Sequence, residues 1–367
     1  MAQEALYRKY RPSTFEGVIG QEHITKTLSN QVKSGNISHA YLFTGSRGTG
    51  KTSTARIFAK AINCENNQNG SPCLSCNVCN NLNEMNMDII EIDAASNNRV
   101  DEIREIRERV KFAPVSCRYK VYIIDEVHML TDSAFNALLK TLEEPPPYVV
   151  FILGTTEVHK LPQTILSRCI RFDFRLVSVK QLSNLLSNIY QQENITATAE
   201  AIKLIANAGE GSVRDMLSIA DCVRAFAGEN TITAEKVNEV LGGTDTSSLL
   251  QFCADLFSGD IGKSLEHINT FCLQGANLLV LIKDLSVIFR NLLIIKTCSN
   301  YNDLIVSTDE VMDKMKNLAQ NVTEEKLILA MKVFGGIEPQ LRYSISPRNL
   351  IETASLDIIS GEVQKKN

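Results

Sequence analysis

Tryptophan is absent and only 6% of the 367 residues are aromatic, which argues against an aromatic platform for stacking single-stranded bases. There is no excess of positive charge either. Against 38 Lys and Arg stand 42 Asp and Glu, a formal net charge of −4, so no global basic field marks a nucleic-acid partner and any such surface must be a local patch. The opening Met1-Ala2-Gln3-Glu4-Ala5-Leu6 lacks the basic and apolar regions of a secretory signal. The most apolar stretch, Leu278 to Ile295, is broken by Lys283, Asp284 and Arg290, short of the ~20 apolar residues a membrane span needs. It reads as a buried or amphipathic helix, and the chain as cytoplasmic with no membrane association. Internal repeats and low-complexity tracts are also missing, and only Gln364–Asn367 resembles a frayed tail. What is present is globular: 44% hydrophobic and 22% charged residues, long enough for two or three domains at ~150 residues each.

Short apolar runs alternate with helical patterns through the first half, the signature of an α/β fold with a parallel sheet. The expected strands are Ala40–Thr44, Asp88–Ile92, Lys120–Ile124, Val149–Leu153 and Cys169–Phe172, with helices at Thr52–Asn63, Val100–Lys111 and Ser133–Glu144. The last of these stops at Pro145-Pro146-Pro147, where a continuing helix would lose donors and clash. From about Val179 the pattern is helical throughout. Thr198 and Thr233 are placed to cap helices, and Ser212 with Asp215 resembles a capping box. Leu241-Gly242-Gly243-Thr244 marks a boundary. The expected organisation is therefore residues 1–178, 179–242 and 243–367.

Gly45-Ser46-Arg47-Gly48-Thr49-Gly50-Lys51-Thr52 matches G-x-x-x-x-G-K-[ST] between a strand and a helix, the context the motif requires. Glycines let the backbone curl so that its N–H groups and the helix N-terminus face phosphate. Lys51 would reach the β- and γ-phosphates of ATP, and the Thr52 hydroxyl would ligate Mg²⁺. Val121-Tyr122-Ile123-Ile124 leads to Asp125 and Glu126 at a strand's C-terminal end, where α/β folds place ligands. Asp125 would hold Mg²⁺ and Glu126 would polarise the attacking water. After the next strand, Gly154-Thr155-Thr156 offers a hydroxyl to the γ-phosphate or the water; Thr155 is the candidate, with Thr156 expected to point away.

Of ten cysteines, four fall at Cys64, Cys73, Cys76 and Cys79. Four thiolates at that spacing, with Gly70 and Pro72 supplying turns, suit a closed structural Zn²⁺ site in an insertion at 64–79. An iron–sulfur cluster accepts the same ligands, and spacing alone does not choose the metal. The other six cysteines are isolated.

Together these segments resemble the ATPase subunits of bacterial sliding-clamp loaders, the DNA polymerase III gamma/tau family. The resemblance rests on Tyr7-Arg8-Lys9-Tyr10-Arg11-Pro12, His39-Ala40-Tyr41-Leu42-Phe43, the phosphate loop and the four cysteines. It continues through Ile123 to Leu130, Asn136 to Pro145, Leu166-Ser167-Arg168-Cys169 and Gly211-Ser212-Val213-Arg214-Asp215. It covers residues 4–242 and is looser beyond. The resemblance implies an AAA+ P-loop ATPase with a parallel sheet, a helical lid and an all-α collar that oligomerises. It implies an ATP hydrolase of the DNA polymerase III holoenzyme, with ATP, Mg²⁺ and Zn²⁺ as cofactors. Arg168 would be an arginine finger reaching a neighbour's ATP, Arg214 would sense the γ-phosphate, and Tyr7, Arg8, Tyr10, Arg11 and Pro12 would pack around the base. The implied partners are the delta and delta-prime subunits, copies of the chain itself, the beta sliding clamp and primed-template DNA; contact with the polymerase core would need a longer C-terminal tail.

Arg99, Arg104, Arg107 and Lys111 are the candidates to follow a duplex, but Asp101, Glu102, Glu105 and Glu108 interleave with them, so a solvated helix with internal ion pairs is the alternative. Ser96–Arg99, expected at a helix N-terminus, is the better phosphate candidate. Two other functions stand beside the loader: another AAA+ DNA-remodelling motor, for branch migration or helicase loading, and a non-hydrolysing scaffold. The retention of Lys51, Thr52, Asp125 and Glu126 argues against the scaffold, and the cysteine cluster with Ser167-Arg168-Cys169 against the other motors.

Overall fold

The computed structural model describes residues 4–361 except 68, 82–86, 97–104, 107, 229, 243–244, 299, 302–303, 306–308 and 342. The chain forms two compact units, Met1–Ala234 and Glu235–Asn367.

The first unit is built on a parallel five-stranded sheet of order β2-β3-β4-β1-β5. Its strands are β1 (Ala40–Thr44), β2 (Ile89–Asp93), β3 (Lys120–Asp125), β4 (Val149–Thr155) and β5 (Ile170–Asp173). Because side chains alternate across a strand, each continuous apolar run feeds two cores. Tyr41, Phe43, Val121, Ile123, Val150 and Ile152 face one side, against helices α2 (Glu22–Ser34) and α3 (Lys51–Asn63). Ala40, Leu42, Tyr122, Ile124, Phe151 and Leu153 face the other, against α4 (Asp132–Glu143) through Ala134, Phe135 and Leu138. Truncating one of these fully buried side chains, as in Leu42→Ala, is expected to cost about 2–5 kcal/mol. Ahead of the sheet lies a short helix, α1 (Leu6–Lys9).

After the sheet come α5 (Val179–Gln192), α6 (Ala199–Ala208) and α7 (Val213–Ala227). Ser178 and Gln181 form a full capping box at α5. Thr198 caps α6 through the Ala201 N–H, and Ser212 caps α7 through the Asp215 N–H. The second unit is helical in its described residues. Helices Thr246–Ser258, Ile261–Leu273, Leu278–Thr297 and Glu324–Leu341 enclose a core that includes Phe252, Phe271, Phe289 and Phe334. Among the described residues no helix is long and apolar enough to cross a membrane.

Shifts from expectation are small. β2 starts at Ile89; Asp88 just before it still accepts the Val121 N–H through its carbonyl, while its carboxylate accepts the N–H groups of Val115, Ser116 and Cys117 at 2.8, 2.7 and 3.0 Å. β4 runs on to Thr155, whose carbonyl accepts the Gly45 N–H. The helix expected at Val100–Lys111 lies mostly outside the described residues; 105–106 and 108–110 are helical.

Candidate functional site

Three neighbouring strands, β3, β4 and β1, deliver their C-terminal ends to one place. The phosphate loop leaves β1 at Gly45 and enters α3 at Lys51. Gly45, Gly48 and Gly50 take φ of 142°, 75° and 101°, which side chains rarely adopt. Space excludes a side chain as well: a Cβ at Gly45 would lie 2.5 Å from the Phe174 carbonyl oxygen, and one at Gly48 would collide with Ser212 Oγ. The curl is held by Lys51, whose Nζ donates to the carbonyls of Gly45 and Ser46 at 2.8 and 2.9 Å. Burial lowers the pKa of that ammonium, against the pull of Glu126 and Asp125.

Thr52 donates its hydroxyl to Asp125 Oδ2 at 2.6 Å, a pair of hard oxygens suited to Mg²⁺. Glu126 has a left-handed backbone, φ 47°. Its Oε2 accepts from the Thr156 N–H at 3.2 Å and hydroxyl at 2.9 Å, and lies 3.4 Å from His128 Nδ1. Thr156 therefore does not point away; it is the threonine that holds the carboxylate. The Thr155 hydroxyl is fully buried, 3.0 Å from His128 Nδ1, and accepts the Glu157 N–H at 3.0 Å.

Beside the loop opens a cavity of about 430 Å³. Arg47 to Ser53, Asp125 and Glu126 line one part; Tyr7, Tyr10, Arg11 and Pro12 line another; Val213 and Arg214 bound it from α7. The phosphate loop and α7 meet directly, since the Val213 N–H donates to the Gly48 carbonyl at 3.1 Å. The Arg214 guanidinium sits 5.4 Å from the centre of the Tyr7 ring, and Arg8 sits 5.7 Å from the same ring. Arg8 does not line the cavity; its Nε donates to the Tyr7 hydroxyl. Val18, Ile19, Leu185 and Leu217 complete the apolar walls. Nothing in a single sequence separates these four from ordinary core residues.

Arg168 is elsewhere. It does not line the cavity of its own chain, and its guanidinium is held by the Thr164 carbonyl at 2.8 Å and by Glu143 Oε1 at 2.8 Å.

The four cysteines converge, with their sulfurs all within 4.8 Å of one another. Ligands at the usual Zn–S distance stand about 3.8 Å apart in a tetrahedron, and the observed 4.0 Å for Cys64–Cys76 and for Cys73–Cys79 is close to that. Backbone N–H groups of Cys73, Cys76 and Cys79 donate to the sulfurs of Cys64, Cys73 and Cys76 at 3.3–3.4 Å. Leu74 takes φ 59° to turn the chain between ligands. Gly70 must be glycine, because a Cβ there would strike the Ser29 carbonyl oxygen of α2.

Of the residues proposed to follow a duplex, Arg99, Arg104 and Arg107 lie outside the described residues. Lys111 is paired with Glu108 at 2.5 Å, and Arg109 with Glu105 at 2.6 Å, as in the ion-paired alternative. Ser96 is bonded to Asp93, and 97–99 lie outside the described residues.

A parallel sheet with a phosphate loop after β1, an Asp-Glu pair after β3 and a helical segment against the loop defines a P-loop ATPase of the AAA+ class. The Thermotoga maritima Holliday-junction motor RuvB (T158V variant) shares this fold, with a TM-score of 0.50 at 21% identity, covering 68% of this chain and 79% of that one. Residues 20–178 match the family described as DNA polymerase III, delta subunit. Residues 181–229 match the DNA polymerase III clamp loader subunit ATPase lid domain, and 232–354 match domain III of DNA polymerase III subunits gamma and tau. The chain is 34% identical over 365 residues to DNA polymerase III subunit gamma of Buchnera aphidicola subsp. Schizaphis graminum, covering 98% of this chain and 99% of that protein. It is 42% identical over 359 residues to DNA polymerase III subunit tau of Bacillus subtilis (strain 168), covering 98% of this chain but 63% of that longer protein. The chain belongs to the DNA polymerase III gamma/tau family of clamp-loader ATPase subunits.

Proposed function

We propose that the chain is the motor of a sliding-clamp loader: it binds ATP, joins other loader subunits, holds the clamp for primed DNA, and hydrolyses ATP to release it closed. The observation that carries this reading is a site divided between surfaces. Lys51, Thr52, Asp125 and Glu126 converge at the strand ends, whereas Arg168 lies outside its own cavity, as a group acting on a neighbour's nucleotide must.

The phosphate-loop amides and Lys51 bind and neutralise the β- and γ-phosphates. Thr52 and Asp125 would hold Mg²⁺, which neutralises phosphate charge when bound. Glu126 orients the attacking water and takes its proton once its carboxylate leaves Thr156. Thr155 would serve the γ-phosphate from β4, although its buried hydroxyl faces His128 and does not line the cavity. Arg168 from the adjacent subunit stabilises charge on the transferring phosphoryl group. Arg214 reports the γ-phosphate to the helices that carry it, and Tyr7, Tyr10, Arg11 and Pro12 enclose the base. Work comes from different affinities for clamp and DNA in the two nucleotide states. Residues 1–178 form the nucleotide-binding domain, 179–242 the lid and 243–367 the collar. Cys64, Cys73, Cys76 and Cys79 would hold one structural Zn²⁺. The partners are delta and delta-prime subunits, further copies of the chain, the beta clamp and primed-template DNA, in the cytoplasm at the replication fork.

The test is steady-state ATP hydrolysis by the assembled loader, with and without clamp and primed template. Strong stimulation only when both are present is expected. Arg168→Ala should lower the stimulated rate by ~10³-fold or more while nucleotide binding persists. A rate indifferent to the clamp would assign the chain to another DNA-remodelling motor, and bound ATP without hydrolysis would make it a scaffold.

A further inference from the structure

The N-terminal segment beside the cavity is fastened to the helices that follow the sheet, not to the sheet. Among the described contacts, the hydrogen bonds of residues 6–10 outside their own turn run to Asp221 and Glu193. The Leu6 N–H donates to Asp221 Oδ2 of α7 at 2.7 Å, supplying the acceptor that Ala5 cannot offer at the start of α1. Lys9 Nζ and the Tyr10 hydroxyl donate to Glu193 Oε1 at 2.5 and 2.6 Å, and Arg224 of α7 approaches Glu193 Oε2 at 3.5 Å. Leu6 is fully buried, and α1 packs on α7. Only from Phe15 and Val18 does the chain join the core against the sheet.

Glu193 is unfavourably placed for its own helix. It is the C-cap of α5, where the helix dipole repels a carboxylate. Three donors from α1, its C-cap and α7 compensate, and the side chain is 9% exposed. Hydrogen bonds from Lys9 and Tyr10 keep its pKa below the usual carboxylate range.

We infer that Glu193 is a positioning residue for nucleotide binding: it clamps the Tyr7–Tyr10 wall to α5 and α7, so that this wall and Arg214 close on the nucleotide as one piece. The inference rests on the proposed nucleotide site and adds to it a residue outside the cavity.

The experiment is equilibrium binding of a fluorescent ATP analogue to the full chain, for wild type, Glu193→Gln, Tyr10→Phe, the double variant and Lys51→Ala. Glu193→Gln should weaken binding about five- to twentyfold, and adding Tyr10→Phe should weaken it little further because both act through one bond. In the assembled loader, Glu193→Gln should raise KM for ATP with kcat changed less than twofold, a split that general loosening of the fold would not produce. Equal affinity of wild type and Glu193→Gln, or fully additive losses in the double variant, would overturn the inference. Lys51→Ala separates the two readings. If it abolishes binding while Glu193→Gln leaves affinity intact, only the clamp role fails; if it binds as wild type does, the site itself is misassigned.

Discussion

The phosphate loop and the cysteine insertion are both tight turns flanking α3, yet they are held in opposite ways. The loop is closed by its own chain: Lys51 bonds the carbonyls of Gly45 and Ser46, Thr52 bonds Asp125, and Gly48 receives the Val213 N–H. Each of these bonds ends on protein rather than on a ligand. The insertion is pinned at its edge, where Ser29 Oγ donates to the Asn69 carbonyl at 2.6 Å and Ser71 Oγ to Glu16 at 2.9 Å, but at its centre the described N–H groups point at sulfur, with the cysteine sulfurs within 4.8 Å of one another. Four thiolates that close would repel one another without a cation between them. The lesson is that a ligand-binding loop and a ligand-built loop differ in where their bonds end, on the backbone or on the ligand.

The comparison predicts different failures. Lys51→Ala removes charge-assisted contacts to phosphate and should weaken ATP binding by ~100-fold or more, while the melting temperature moves only a few degrees; calorimetry with a nucleotide titration checks both. A large loss of fold would show that the bonds from Lys51 to Gly45 and Ser46 carry the stability of the domain as well as the grip on phosphate. Cys73→Ser, or a strong chelator, should do the reverse. Elemental analysis should lose one Zn²⁺ per chain and amide exchange should rise across 64–79, with ATP affinity changed less than about threefold. Iron, or no metal in protein purified without chelator, would end the zinc assignment.

The smallest effect tests a third kind of anchor. Asp88 is buried, which by itself raises its pKa, but the N–H groups of Ser116, Val115 and Cys117 and the Ser116 hydroxyl outweigh burial and lower it. A depressed carboxylate contributes stability above its unfolded pKa that is lost as pH falls through the folded one. Asp88→Asn should cost about 1–3 kcal/mol near neutral pH, and the difference from wild type should shrink in acid. Denaturant titrations at several pH values measure it; a difference independent of pH would mean that the carboxylate charge does not matter.

Much of this was legible in the chain. Continuous apolar runs marked the central strands β1, β3 and β4 to within a residue or two at each end, because burial on both faces leaves no room for polar residues there, while the edge strands β2 and β5 carry Glu91 and Arg171 on exposed positions. The phosphate loop was legible because its glycines answer a backbone demand, and the cysteines because four soft ligands crowd into one short segment. Thr155 and Thr156 were not separable. They are adjacent at the end of β4, and which hydroxyl meets Glu126 depends on how β3 and β4 terminate side by side. Arg168 could be singled out only through resemblance, and its grip on Glu143 is set by the packing of Gln163–Leu166 near the end of α4.

Local chemistry, then, was determined by sequence: glycine where φ is positive, lysine and threonine at a helix start, thiolates at turn spacing, carboxylates after an apolar strand. These depend on neighbours within a few residues, and backbone sterics enforce them wherever the chain goes. Tertiary structure decided the strand order that makes β3, β4 and β1 neighbours, the contact of Gly48 with Ser212 and Val213, and the attachment of Lys9 and Tyr10 to Glu193. Those partners lie far apart in the chain, and only packing of apolar faces brings their polar groups within reach of one another.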